Sequence, residues 1–595
     1  MLQSRRTVTG IMVALFLVAF FLRAYRPLSL PTQWLDRAEI LNTALDTRDW
    51  GETHQSPHPG FTTMVISGTS LRLYDAAKGT PAEALFDWAY PAYTTEFGRR
   101  MAVGVLGLAL VISGLIVAIT LTLRRLSDWR LALTFAGLLT FAPFYLAQGR
   151  VLHVDALVST LMLLSALLLL LSLQSGQRRY LLLSGLVAGF ALLTKIPSMF
   201  LVPFTGLTLL VHLVVRLQAE WSAHGEGRAR WILQQSWREL VLPVLLWGLM
   251  VLVPILMWPA MWEKPLKVFQ SMANRTNSHR VTPHLRTFFA GDVYYEKEVG
   301  VLFYLATMAF NSTFLTLSLL PLAVGHYTAW RKRVNKLPLT PVAFWLMVAY
   351  LVFFTAQMNL GAKKIERYIL PAHPALDFLA AVGLVGVMEL LQRALAERRE
   401  RLARAVPAAL GGLAVALQAA VALPFAPSYD AHHNYLLGGN PVAIRMIDFT
   451  GQGEGVPEVI DYLYGQSPAE VPPLGIPRTI DTALMQYMPA ENVLVGMTAE
   501  ADFHLFDVVA MQREVTPRQW EPAWQYYQER NAPAQLRVVF DRVTYMWLYP
   551  TRPDETFQRR VIRRGGVGFV WLSWVWTAAL LGGVAWALVP RHRTG

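Results

Sequence analysis

About twelve stretches of this 595-residue chain are apolar for roughly 17–25 residues at a time, the length a helix needs to cross the hydrocarbon core of a bilayer. They lie near 9–25, 101–123, 130–147, 154–173, 180–196, 198–215, 239–257, 300–325, 340–358, 368–390, 405–424 and 566–590. So many runs of one length are what a membrane demands and a water-soluble core does not. Composition agrees: 16% of residues are charged, against roughly 25% in an ordinary soluble domain. The expected fold is an all-α polytopic membrane bundle of about twelve transmembrane helices. The first run, Ile11 to Leu22, follows Arg5 and Arg6 as a signal peptide would. Arg23, Tyr25 and Arg26 come next instead of small residues, so it reads as an uncleaved first span.

The net charge of +13 would raise nucleic-acid binding in a soluble protein. Here the basic residues sit in short loops between apolar runs, and topology explains them; no nucleic-acid partner is expected. Arg5/Arg6, Arg124/Arg125/Arg130, Arg178/Arg179, the Arg216–Arg238 loop, Arg331/Lys332/Arg333/Lys336 and the Arg393–Arg404 loop all fall on one side. The positive-inside rule makes that side cytoplasmic, with both termini, in a plasma membrane. The chain has no cysteine, which excludes disulfides, thiolate metal sites and cysteine nucleophiles.

Three stretches remain outside. Residues 26–100 and 258–298 form outer loops of a bundle spanning 1–424, the second loop carrying a basic run from Arg275 to Arg286. Residues 425–565 form a polar extracytoplasmic domain, and 566–595 a last span and cytoplasmic tail. Val493–Gly496, Asp507–Ala510 and Leu536–Phe540 are short β-branched runs, so this domain is expected to be a small α/β unit.

The informative residues break the charge rule. The outer loop NLGAKKIER at 359–367 holds Lys363, Lys364 and Arg367, which share a face if the loop turns helically. Arg150 and His153, before the fourth span, and Lys195 are further outer cations. Together they suit a phosphate group at the membrane surface, although a headgroup anchor would look similar. Asp36 and Glu39 follow the first span three residues apart. Asp155 opens the fourth span at its outer end, where an ionisable group is a candidate for function. Sugar transfer to a hydroxyl needs a base, which a positioned carboxylate provides. A leaving phosphate needs positive charge from Lys, Arg, His or a divalent metal. The adjacent His432 and His433 read as a polar loop before they read as a metal site.

In this order the segments resemble the family 39 glycosyltransferases of the GT-C fold, the protein O-mannosyltransferases and the lipid A aminoarabinose transferase. QSPHPGFTTM at 55–64, containing His58, resembles their HPG segment. GFALLTKIPSMFLVP at 189–203 resembles the stretch around their lysine. KKIERYILPAHPALDFLAA at 363–381, with Tyr368, resembles R-Y-x-x-P-x-x-P. YLLGGNP at 435–441 and GQGEGVPEVIDYL at 451–463 resemble the segments after the last bundle span. The resemblance implies a GT-C bundle, a polyprenyl- or dolichyl-phosphate sugar donor, and an inverting displacement onto a glycan, lipid or protein acceptor. It carries the base role onto Asp36, a second active-site acid onto Asp155, and donor-phosphate contacts onto Lys195, Lys364 and Arg367. Two departures matter. The family often has adjacent Asp-Glu in the first loop, whereas Arg37 and Ala38 separate Asp36 from Glu39, leaving the base open between them. The β-trefoil of eukaryotic members is missing, which leaves a protein acceptor open too. A lipid-linked sugar flippase or a non-catalytic assembly subunit are the competing expectations; a flippase should show repeated halves and broken helices.

Overall fold

The computed structural model describes residues 5–589 apart from 28–32, 56–57, 224–227, 331–337, 397–398, 450–452, 467–471, 477–479, 497, 499, 509–511, 513–516, 553–557 and 567. The basic loop at Arg331–Lys336 therefore lies outside the described residues. Each of the twelve apolar stretches is helical, but not each is a full span. Among the described residues nine helices are long and apolar enough to cross a membrane, and a bent pair would make a tenth. That pair, Leu302–Asn311 and Phe314–Thr328, turns by 114°. The polar triplet Asn311–Ser312–Thr313 causes the break: the Thr313 hydroxyl accepts from the Thr316 amide and so starts a new helix inside an apolar run. Trp129–Thr140 is a short apolar helix, ended ahead of Pro143. Arg178–Thr194 has 17 residues, stopping where Lys195 turns extended before Pro197.

Two helices form the centre. The apolar windows of Asp155–Ser175 and Ala372–Ala396 are 94% and 89% buried, as expected of helices apolar on every side. Arg228–Met257, Glu400–Phe425 and Gly568–Leu588 are 17–22% buried in theirs and leave apolar flanks for lipid. Arg178–Thr194 packs on Leu242–Met257 through Gly185 and Gly189, four residues apart. A Cβ on either would lie 2.5 Å from a backbone oxygen, that of Trp247 or Val251, so the backbones meet as small-xxx-small pairs do in membranes.

The polar region holds a six-stranded mixed sheet in the order β4-β3-β5-β7-β6-β8. The strands are β3 Leu474–Ile476, β4 Val493–Val495, β5 Phe503–Asp507, β6 Leu536–Phe540, β7 Val543–Pro550 and β8 Arg560–Arg564. A separate hairpin, β1 Arg286–Phe289 with β2 Asp292–Tyr295, comes from the second loop. The expected strand at 507–510 instead ends at Asp507, its apolar character lying upstream in Phe503–Phe506. The sheet region is tied to the bundle end that carries Asp155. Arg26 grips Asp461 at 2.6 Å, the Thr94 hydroxyl donates to the Tyr487 carbonyl at 2.7 Å, and Arg150 reaches the Pro427 carbonyl.

Glu458, in helix Val456–Gln466, is buried there with no side-chain hydrogen-bond partner among the described residues and Arg564 3.6 Å away. Burial pushes its carboxyl up to about 7. The folded state thus holds a proton that the unfolded chain releases near pH 4.5. Stability falls as pH rises through that window, by about 3 kcal/mol in all, and stays lower above it. Glu458→Gln is expected to flatten this slope and to melt higher than the parent at alkaline pH, as a thermal-unfolding series across pH will show.

Candidate functional site

Asp155 is the first residue of its helix, where the helix dipole favours a carboxylate. It is 2% exposed and surrounded by cations. Lys195 Nζ donates to Oδ1; His153 Nδ1 stands 2.9 Å from Oδ2 and Arg367 Nε 3.7 Å from it. These four residues come from three separate parts of the chain. Each is brought in by a break in helical structure: the turn before Asp155, the extended Lys195 and the short 3-10 turn Glu366–Ile369.

Lys195 also faces a cavity. Its ammonium lies 4.3 Å above the Tyr368 ring, Tyr368 stacks on His279 at 5.9 Å, and His279 meets His58 at 5.4 Å. Together they wall a space of about 470 Å³ whose lining, among the described residues, carries Lys195, Arg275, Arg280 and Lys363 but no carboxylate. Much of the remaining wall is apolar, and parts of it are exposed at the breaks where helices end: Met199 by 53% and Leu360 by 79%. The cations crowd one another. Burial, then the charges of Lys195, His279 and Arg275, push His58 down to about 2; burial, then Arg275 and Lys363, push His279 down to about 3. Lys363 is lowered by burial and by Arg275 and Arg367. Both imidazoles are therefore neutral near pH 7, and the cavity holds fixed positive charge that an anion would relieve.

The expected cationic trio does not share a face. Residues 360–365 form no helix, and in such a segment neighbouring side chains take opposite sides. Lys363 enters the cavity, Lys364 is buried against Glu298 at 2.9 Å, and Arg367 turns to Asp155. Arg150 is likewise placed outside the cavity. Its guanidinium donates to the carbonyls of Tyr25, Arg26 and Pro427, which tie the first loop and sheet region to the bundle.

The first-loop acids lie on helix Gln33–Thr47. Trp34, on its first turn, sets its ring edgewise to His153 at 5.8 Å. Gly60 at φ +63° passes so close that a Cβ would fall 2.1 Å from this indole. Arg37 stacks on Trp34 at 4.6 Å and feels the charge of Arg275. The helix start is thus beside the Asp155 cluster, yet Asp36 is exposed, outside the cavity lining, and two residues on from Trp34, hence near the opposite side of the turn. Partial desolvation against the helix start, then Glu39, raises its carboxyl, against the pull of Arg37. Glu39 is held by Arg100 at 2.7 Å. Arg275, His279 and Arg280 were legible only as a basic run; Arg275 and His279 are four apart, the spacing of one helical face. His432 and His433 are buried in ring contacts, the former with Phe425 and Tyr435, the latter with Phe449. Among the described residues no three His, Cys, Asp or Glu side chains group as metal ligands do.

Residues 83–258 match the family model described as dolichyl-phosphate-mannose-protein mannosyltransferase. No curated protein matches the chain. Among solved structures, ArnT from Cupriavidus metallidurans bound to undecaprenyl phosphate is similar at 16% identity and a TM-score of 0.44, over 87% of this chain and 89% of that one. The Archaeoglobus fulgidus oligosaccharyltransferase in the apo form is similar at 10% identity and 0.42, over 85% and 70%. The family match names the kind of protein that the order of sequence segments resembles.

Proposed function

We propose that this membrane glycosyltransferase of the GT-C type takes its sugar from a polyprenyl-phosphate carrier and transfers it, with inversion, to an acceptor hydroxyl on the outer face of the membrane. One observation supports this most: a cavity lined, among the described residues, by four cations and no carboxylate, with part of its apolar wall exposed. An anionic head on a long apolar tail fits both halves. Lys195, Arg275 and Lys363 are the donor-phosphate contacts, stabilising the phosphate as it leaves. Asp155 holds Lys195 and Arg367 in place. Asp36 is the base, since Glu39 is committed to Arg100. With the basic loops cytoplasmic, the cavity and the sheet region face outward.

The test is transfer by purified protein across a panel of polyprenyl-phosphate sugars. Product with inverted anomeric configuration is expected, and hydrolysis or transfer from none of them would defeat the reading. Lys363→Ala removes one charge-assisted contact and is expected to weaken donor binding about tenfold, measured by titration with polyprenyl phosphate. The broken span at Asn311–Thr313 favours a second reading, a lipid-sugar carrier. Reconstituted vesicles separate the two: a carrier moves the labelled lipid between leaflets and leaves its sugar–phosphate bond intact.

A further inference from the structure

The sheet region contains a second cavity, of about 520 Å³, within the size range of small-ligand sites. It lies where the end of helix Pro517–Glu529 crosses β7, β6 and the start of β8. Strand register builds it. Trp547 and Tyr549 are two apart on β7 and share a sheet face. Arg537 on β6 pairs with Trp547, and Val561 on β8 pairs with Arg537, so Trp547, Arg537 and Val561 form one row. Arg559, two before Val561, extends that face at the sheet edge. The helix adds Trp524, set edgewise to Trp547 at 5.5 Å and to Tyr549 at 6.2 Å.

The result is an aromatic floor under an arginine rim. Arg537, Arg559 and Arg560 are exposed, and among the described residues none has a carboxylate at ion-pair distance. Three neighbouring cations with no described carboxylate beside them leave charge for a ligand to meet, and Trp524 and Trp547, packed on the buried Phe506, Tyr527 and Tyr549, remain partly open. Each feature has a ligand that suits it. Ring faces take the C–H face of a pyranose, and guanidinium forks take carboxylate or phosphate in two-point contacts. Gln528 and Asn531 add amide groups at the edge, the former 3.4 Å from the Tyr549 hydroxyl.

We propose that this cavity binds an anionic saccharide, one bearing carboxylate groups, at a site distinct from the transfer cavity. It stands on the sheet region alone and does not depend on the donor chemistry. The experiment uses the full chain in detergent and titrates it with an oligouronide, the matching neutral oligosaccharide and inorganic phosphate, read by tryptophan fluorescence and calorimetry. The oligouronide is expected to bind in a salt-sensitive way, with the neutral sugar and phosphate each far weaker. Arg537→Gln and Arg559→Gln should each weaken it by about tenfold. Both side chains are exposed, so melting temperature should hold, and polyprenyl-phosphate binding, read in parallel, should be unchanged. Equal binding of the neutral sugar, equal binding of phosphate alone, unaltered affinity in both arginine variants, or no oligouronide binding at millimolar concentration would each overturn the proposal.

Discussion

Asp36→Asn is expected to slow sugar transfer by roughly 10²–10⁴-fold while leaving donor affinity where it was. The amide keeps the size and polarity of the side chain but cannot act as the base proposed for the acceptor proton. Asp36 is outside the cavity lining, so the donor has no contact to lose. The same carboxyl should also shape the pH–rate profile. Partial desolvation and Glu39 raise it, so the acid limb should lie above the ordinary aspartate value and disappear in the variant. Glu39→Gln is the control. It frees Arg100 and should cost stability more than rate. A dead Glu39→Gln beside an active Asp36→Asn would exchange their roles, and two active variants that still bind donor would leave both acids structural.

Lys195→Met should abolish donor binding and transfer together, and should unfold the protein at markedly lower temperature. The pair it breaks with Asp155 is buried on both sides, 4% and 3% exposed. Removing one member of such a pair strands the other charge, at a cost of about 3–5 kcal/mol. Asp155→Leu should fail in the same way, leaving Lys195 and Arg367 uncompensated. The double variant Lys195→Met with Asp155→Leu is the informative one. It removes both charges, so it should recover much of the thermal stability and none of the activity. Recovery of transfer in the double variant would show that the pair only holds the bundle together.

The spans were legible because an apolar run of membrane length is a long signal that survives small errors at its ends. The bend at Asn311–Thr313 was not, although its sign was present: three polar residues in mid-run are unremarkable to a hydropathy average and decisive to a backbone that needs a new cap. Of the residues that cluster here, Asp155, His153 and Lys195 stand out in the sequence because a charge at a span end is expensive wherever it points. Lys363 and Lys364 could not be told apart. Their roles depend on whether that loop turns or extends, and the sequence is silent on it. Arg150 reads in sequence as a ligand contact because its partners are backbone carbonyls 125 and 277 residues away, which leave no mark in side-chain chemistry. The sheet cavity was invisible for the same reason: Trp547 and Arg537 become neighbours only once the strand register is set.

The exposed apolar wall that includes Met199 and Leu360 has a consequence for how this protein should be assayed. On the proposed reading, the donor enters sideways from the bilayer, so its effective concentration is a mole fraction within two dimensions. Adding inert lipid or detergent at constant total donor should then slow the reaction, and compressing the same donor into less lipid should speed it, although the bulk concentration never changes. Saturation curves drawn against molarity would differ between preparations, whereas curves drawn against surface density would superimpose.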